Sequence, residues 1–316
     1  MMVYVNGRIV PKEEATISVF DHGFLYGDGV FEGIRAYDGV VFRLEQHIDR
    51  LLESAKTIAL DVPLTREELI DATLRTIAAN NRRDAYIRLV VSRGAGDLGI
   101  DPANCRASTV VIIVDAIKLY PEEMYQKGIS LITASVRRTP IDCLDTRVKS
   151  LNYLNNIMAK LQAKQVGALE AVMLNIQGTI AECTADNLFI VKRGTVKTPD
   201  PTQGALGGIT RGAILELARR EGLATAETVI ALHDVYNADE CFLTGTGAEV
   251  VPVVALDGRK IADGKPGPIT TRLMGEFRKL RSSDGTRVVY EVTPREVPKQ
   301  PQAGRRSPFP RRTAAP

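Results

Sequence analysis

Apolar residues recur along this chain at two spacings, and the spacings mark its elements. Val3-Tyr4-Val5 and Ile9-Val10 flank Asn6-Gly7, which predicts a β-hairpin closed by a type I′ turn. Gly33–Tyr37 and Val40–Arg43 flank Asp38-Gly39 and predict a second hairpin. Leu44, Ile48, Leu51, Leu52, Ala55 and Ile58 fall at helical spacing. Thr65-Arg66-Glu67-Glu68 reads as a capping box that opens a helix running to about Asn80. Ala85–Ser92 alternates with period two, so Tyr86, Arg88 and Val90 share one strand face and Ile87, Leu89 and Val91 the other. Thr109–Val114 is a further strand.

Both periodicities stop at Lys118-Leu119-Tyr120-Pro121-Glu122-Glu123. A linker over 118–128 would then separate a first domain, 1–117, from a second, 129–292. The second begins with a strand at Ile129–Val136. A polar loop follows, and at Lys149 a helix is expected, with Leu151, Leu154, Met158 and Leu161 along one face. Glu170–Leu174 and Asn187–Val191 read as strands around an Asn175–Gly178 turn. The Gly-rich stretch 204–212 leads into a helix with Thr210 as N-cap, Ile214, Leu217 and Ala218 as its buried stripe, and Gly222 as its stop. Residues 293–316 are rich in Pro and Arg and poor in core material, which predicts disorder.

Composition narrows the class. The 316 residues suffice for two ordinary domains. A formal charge of +3 owes much to Arg305, Arg306, Arg311 and Arg312, so the body carries no basic field for nucleic acid. No apolar run approaches bilayer length, and the start of the chain does not read as a signal peptide. Cys105, Cys143, Cys183 and Cys241 are scattered, with no CxxC and three His. The expectation is reduced thiols in the cytoplasm, with neither a disulfide nor a zinc framework.

Within this frame a few polar residues stand out. Lys149, at the expected helix start, would feel the positive end of the dipole, which favours a neutral amine fit for Schiff-base chemistry. Arg88 interrupts an apolar strand and needs an anionic partner, either internal or bound. Arg50 lies beside the apolar stripe of its helix. Glu182 sits among small and apolar neighbours and wants a cation. The turn at 204–210 and the one at Gly245-Thr246-Gly247 offer free N–H groups to a phosphate. Four Gly from Asp21 to Gly33 suggest a tightly turning backbone or a close approach to a ligand. A Lys, an isolated carboxylate and two phosphate cradles are what pyridoxal phosphate requires.

Several motifs together give the chain a close resemblance to the branched-chain aminotransferases of the D-amino-acid-aminotransferase-like fold, fold type IV of the pyridoxal-phosphate enzymes. They are Tyr26-Gly27-Asp28-Gly29-Val30-Phe31-Glu32-Gly33-Ile34-Arg35, Tyr86-Ile87-Arg88, Lys149 with Asn152-Tyr153-Leu154, Glu182 through Asn187-Leu188-Phe189, Gly208-Ile209-Thr210-Arg211 and Gly245-Thr246-Gly247-Ala248-Glu249. The likeness covers roughly residues 3–280. It implies a small N-terminal α/β domain and a larger one whose barrel-like sheet is flanked by helices. It also implies transamination from L-Leu, L-Ile and L-Val to 2-oxoglutarate. Lys149 would bind the cofactor covalently, Glu182 would pair with its ring nitrogen, and Tyr153 with its phenolic oxygen. Arg50, Gly208, Ile209, Thr210, Gly245 and Thr246 would hold the phosphate, and Leu206 would pack on the ring. Tyr26, Phe31, Gly33, Arg35, Tyr86, Arg88, Tyr120, Thr246 and Gly247 would surround the substrate. The strand spacing puts the Arg88 guanidinium roughly 6–7 Å from the Tyr86 hydroxyl. A homodimer or a larger assembly of dimers is implied, with no metal.

The chain departs from the family in two ways. Gly207 stands where many members have Pro, and no Trp is present for the pocket wall. The alternatives are a D-amino-acid or broad-scope amine transaminase of the same fold, a lyase resembling aminodeoxychorismate lyase, or a non-enzymatic binding protein.

Overall fold

The computed structural model describes residues 1–116 and 120–290, which divide into two compact units. The first comprises residues 1–116 together with 148–152 and the stretch from Gly285. The second comprises 117–147 and 153–284. Two segments expected in the second domain, that of Lys149 and that at 285–290, therefore belong to the first. The expected 118–128 linker also carries a helix, α4 (Glu122–Lys127), which starts directly after Pro121. The stretch expected to be disordered, 293–316, lies outside the described residues.

In the first unit the strands are β1 (Met2–Val5), β2 (Arg8–Pro11), β3 (Gly29–Tyr37), β4 (Val40–Phe42), β5 (Ala85–Ser92) and β6 (Thr109–Asp115). Its helices are α1 (His22–Tyr26), α2 (Leu44–Thr57) and α3 (Arg66–Ala79). A short strand, Gly285–Arg287, begins an antiparallel sheet whose order continues β4-β3-β5-β6-β1-β2. Both expected hairpins form. Asn6 and Gly7 have φ of 46° and 89°, and Asp38 and Gly39 have 45° and 77°, as a type I′ turn requires. Thr65 and Glu68 exchange the two bonds of a capping box.

Register sorts the side chains of this sheet. Val30, Glu32 and Ile34 on β3 stand beside Val91, Leu89 and Ile87 on β5. The apolar members of that set pack with Leu44, Ile48, Leu51, Leu69 and Ile77 of α2 and α3 into a buried core. Phe31, Gly33 and Arg35 stand beside Val90, Arg88 and Tyr86 on the opposite face. The glycine-rich stretch at 21–33 forms α1 and the first half of β3, joined by a tight turn at Gly27, whose φ is 70°. Its close approach is to the protein itself, for a Cβ on Gly33 would come 2.2 Å from the Tyr86 hydroxyl.

The second unit contains β7 (Ile129–Thr133), α5 (Leu154–Gln165), β8 (Glu170–Leu174), β9 (Ile180–Cys183), β10 (Asn187–Lys192) and β11 (Thr195–Pro199). After these come α6 (Ile209–Arg220), β12 (Thr225–Thr228), α7 (Leu232–Tyr236), β13 (Glu240–Gly245), β14 (Glu249–Leu256) and α8 (Pro268–Leu280). The strands form one mixed sheet, β12-β11-β10-β13-β14-β7-β8-β9, with the two-residue strand Arg259–Lys260 added to β14. Phe189 and Phe242 stack at 4.9 Å between ring centroids in its interior, giving this Trp-free unit an aromatic core. Two units, each a sheet with flanking helices, give the mixed α and β architecture expected from the resemblance.

Candidate active site

Lys149 is not at a helix start. The helix begins five residues later, at Leu154, so the dipole argument for its amine does not hold. Instead, residues 149–151 extend the ladder of β3 where β4, which pairs only Ala36 and Tyr37, does not reach. Phe31 N donates to the Lys149 carbonyl at 2.9 Å, Leu151 N donates to the Gly29 carbonyl at 2.9 Å, and Lys149 N donates to Ser54 Oγ at 3.1 Å. The backbone of Lys149 is thereby fixed at both ends, and its Nζ lies 4.6 Å from the centre of the Phe31 ring. The pattern Leu154, Met158, Leu161 misleads as well. These side chains are exposed, and α5 buries Asn156, Ala159 and Ala163, the two Ala packing with Ala171 and Met173 of β8.

Four predicted substrate residues of the first unit gather on one sheet face with Phe31. Arg88 Nη2 donates to the Tyr86 hydroxyl at 3.2 Å, and its guanidinium lies 4.5 Å from the Phe31 ring centre. The two polar groups therefore touch, where 6–7 Å was expected, because the Arg side chain folds back along its own strand. Among the described residues no carboxylate pairs with Arg88, so the internal ion pair weighed for it is not what occupies it. Gly33 and Arg35 complete the face opposite Arg88 and Tyr86. Tyr26 lies apart from them, at the end of α1. It is 40% exposed, and its hydroxyl donates to the Leu98 carbonyl.

Arg50 is tied to a residue that sequence reasoning passed over. Glu32, on the core face of β3, accepts from Arg50 Nε and Nη2 at 2.7 Å each and from His47 Nδ1 at 2.7 Å. Burial pushes the Glu32 carboxyl up, but the Arg50 charge and the His47 contact outweigh it and hold it below the ordinary carboxylate range. One edge of Arg50 is accordingly committed to the fold. Glu32 carried a signal: an acid in an otherwise apolar strand, 18 residues before an Arg.

In the second unit Glu182 sits on β9 and is buried. Its Oε1 accepts from Arg138 Nη2 at 2.7 Å. Its Oε2 accepts from Asn187 Nδ2 at 3.1 Å and from Leu206 N at 2.9 Å. The cation it was expected to want is Arg138, which lies in the polar loop after β7 and which nothing in the local sequence distinguishes from its neighbour Arg137. Leu206 thus orients the carboxylate through its backbone.

The glycine-rich turn ends in α6, whose N-cap is Gly208 rather than Thr210. Thr210 lies inside the first turn and is buried. A Cβ on Gly208 would come 2.1 Å from Asn187 Oδ1, which explains why the cap position holds Gly. The first N–H groups of α6 have no acceptor within the helix and point outward, as anion binding requires. Gly245, at the end of β13, carries the second turn. A Cβ there would come 2.0 Å from Asp186 Oδ1. Tyr120 does not line a surface. It is 6% exposed within the apolar core of this unit, and its hydroxyl donates to Asp186 Oδ2 at 3.3 Å. Tyr153 stands at the N-cap of α5.

By its chemistry, the second unit offers a buried carboxylate paired with Arg138, and helix-start and turn N–H groups of the kind that receive a dianion. The first unit offers an amine with a fixed backbone. No helix among the described residues is long and apolar enough to cross a membrane.

Comparison with known proteins agrees. The family model for class IV amino-transferases matches residues 29–256. A Methanocaldococcus jannaschii protein is 53% identical over 291 residues, 92% of this chain and all of its own. The branched-chain-amino-acid aminotransferase of Pseudomonas aeruginosa is 38% identical over 89% of this chain and 93% of its own. Among solved structures, the Escherichia coli branched-chain amino acid aminotransferase superposes with a TM-score of 0.87 at 35% identity, covering 90% of this chain and 96% of that one. The Thermobaculum terrenum enzyme of the same name, solved in its PLP-bound holo form, gives 0.83 at 33% identity, with 90% and 94% covered. With a model spanning most of the chain and relatives alike across nine-tenths of it, the protein belongs to the class IV amino-transferases, in their branched-chain-amino-acid group.

Proposed function

We propose that the protein transfers the amino group of L-Leu, L-Ile and L-Val to 2-oxoglutarate, with Lys149 and Glu182 serving one pyridoxal phosphate. Membership in the family supports the reaction class. The observation that carries the choice of substrates is the face bearing Phe31, Arg88 and Tyr86. It offers an aromatic wall for a hydrocarbon side chain beside a guanidinium and a hydroxyl for a carboxylate.

Bound pyridoxal phosphate supplies a carbonyl that captures an amino group and a ring that accepts electrons when the α-proton leaves. The protein does the rest. The Lys149 amine would hold the cofactor covalently and, when free, would take up and return the substrate's α-proton. Glu182 would pair with the cofactor's ring nitrogen, and Tyr153 with its phenolic oxygen. Gly208, Ile209 and Thr210 at the start of α6, Gly245 and Thr246 at the second turn, and Arg50 would hold the phosphate, with Leu206 against the ring. Thr246 and Gly247 N–H groups receive the α-carboxylate. Gly33 and Arg35 shape the substrate face. Tyr120 stays in the proposed substrate set, with its hydroxyl turned to Asp186.

The same reading makes the protein a homodimer or an assembly of dimers, with Tyr26 serving a neighbouring copy's site. Exposed Phe24, Tyr26, Leu98 and Ile100 in the first unit, and Leu154, Ile157, Met158 and Leu161 on α5, support it, since exposed apolar clusters mark interaction surfaces. The cytoplasm suits its four free cysteines.

Half-reactions of holoenzyme with a panel of L- and D-amino acids test the proposal. L-Leu, L-Ile and L-Val should convert the cofactor to pyridoxamine phosphate, and 2-oxoglutarate should restore it. Conversion by D-amino acids or by simple amines instead would replace this reading with the corresponding transaminase.

A further inference from the structure

Arg138 is 6% exposed, and each of its three guanidinium nitrogens has an acceptor. Nε donates to the Gly204 carbonyl at 3.2 Å, Nη1 to Asn156 Oδ1 at 2.7 Å, and Nη2 to Glu182 Oε1 at 2.7 Å. Asn156 is fixed in turn, donating from Nδ2 to the Thr184 carbonyl at 2.7 Å. The carboxylate at the centre is therefore held by Arg138 from the loop after β7, Asn187 from β10 and the Leu206 amide. Arg138 itself is held by α5 and by the 204–206 turn.

Such an arrangement is a poor device for stability alone. A buried ion pair roughly breaks even against apolar residues of the same volume, and β9 is otherwise apolar. What the arrangement does achieve is constraint. A carboxylate removed from water keeps its charge only beside a cation, and three donors on two oxygens leave it one rotamer. An acid group that took up a proton could no longer pair with a protonated ring nitrogen.

We propose that Arg138 is a positioning residue for the transamination: it holds Glu182 charged and aimed, so that the proton between Glu182 and the cofactor's ring nitrogen rests on the nitrogen. This rests on the reading of Glu182 as the ring partner. Arg138 acts through Glu182 and touches neither cofactor nor substrate.

The test compares holoenzymes of wild type, Arg138→Met, Arg138→Lys, Glu182→Gln and the double variant Arg138→Met with Glu182→Gln. Their kcat and KM in the leucine half-reaction, the pH dependence of the bound cofactor's visible spectrum, and the melting temperature of cofactor-free chain are measured. Arg138→Met should lower kcat at least about tenfold with KM nearly unchanged. Its spectral transition should move to higher pH, Arg138→Lys should restore part of both, and in the Glu182→Gln background Arg138→Met should cost less than about twofold. Should Arg138→Met lower the melting temperature while leaving the spectral transition in place, or multiply fully with Glu182→Gln, Arg138 would be a structural pin and the proposal overturned. Wild-type turnover by Glu182→Gln alone would instead remove the reading of Glu182 beneath it. Were Arg138→Met not to fold, the spectral transition of Arg138→Lys would decide: an unmoved one overturns the proposal.

Discussion

Glu32 in the first unit and Glu182 in the second are both buried carboxylates facing an Arg, yet they are built differently. Both partners of Glu32, His47 and Arg50, come from α2, so the cluster ties one helix to the core face of one sheet. The partners of Glu182 come from two loops and a strand, and no single packing contact explains its presence. A carboxylate whose donors all lie on the neighbouring element serves the fold. The dispersed donors of Glu182 surround the carboxylate proposed above to serve pyridoxal phosphate. Asp186 extends the comparison. It is as buried as they are, but among the described residues the Tyr120 hydroxyl is its one side-chain donor, and burial together with the nearby Glu170 charge pushes its carboxyl up to about 7.

The widest gap should come from Lys149→Ala, which removes the amine: no transamination remains while the fold persists. Borohydride should fix the cofactor to Lys149 in wild type, and a peptide map placing it on another Lys refutes the assignment. Next, Glu182→Gln should slow the leucine half-reaction by about a hundredfold or more while the fold persists. Glu32→Gln should do the reverse, costing roughly 3 kcal/mol of stability by leaving Arg50 uncompensated, with a smaller change in rate. If the two variants lost rate and stability in the same proportion, the distinction between them would collapse.

Arg88→Leu should raise KM for 2-oxoglutarate at least about tenfold, the equivalent of 1.4 kcal/mol, and move KM for leucine much less. Because Arg88 touches Tyr86, Tyr86→Phe should show the same bias more weakly. Equal losses for the two substrates would mean that Arg88 holds the shared α-carboxylate.

The smallest effect is one of pH. The Asp186 carboxyl, ordinarily near 3.8, keeps its proton when folded up to about 7. Between those values the folded chain holds a proton that the unfolded chain has released. Its contribution to stability is therefore complete below about 4 and is lost as pH rises through 7, with a slope of at most about 1.4 kcal/mol per pH unit. Glu32 acts in the opposite sense: its carboxyl is held below the ordinary 4.5, so its stabilisation is present above that value and lost as pH falls. Asp186→Asn should flatten stability between pH 4 and 7 and leave the acid limb intact. A mutant with the wild-type slope would show that Asp186 does not titrate there.

The local pattern alone determined both hairpins, the capping box at Thr65, the two faces of β5 and the stripe and stop of α6. Each depends on residues within a few positions of one another, where turn chemistry and side-chain period act directly. Lys149 and Glu182 stood out because an amine and an isolated acid are conspicuous in such surroundings. Tertiary structure decided the rest. Lys149 completes a strand ladder with Phe31 and Gly29, a pairing over more than a hundred residues that no local period encodes. The apolar stripe of α5 faces outward, and the helix turns Asn156, Ala159 and Ala163 inward instead. Tyr120 turned inward to Asp186, and Arg138, one Arg among many in the sequence, became the partner of Glu182. Where a buried charge finds its counter-charge depends on which distant segments the fold brings within hydrogen-bond reach, and a linear pattern carries that information only through the fold it specifies.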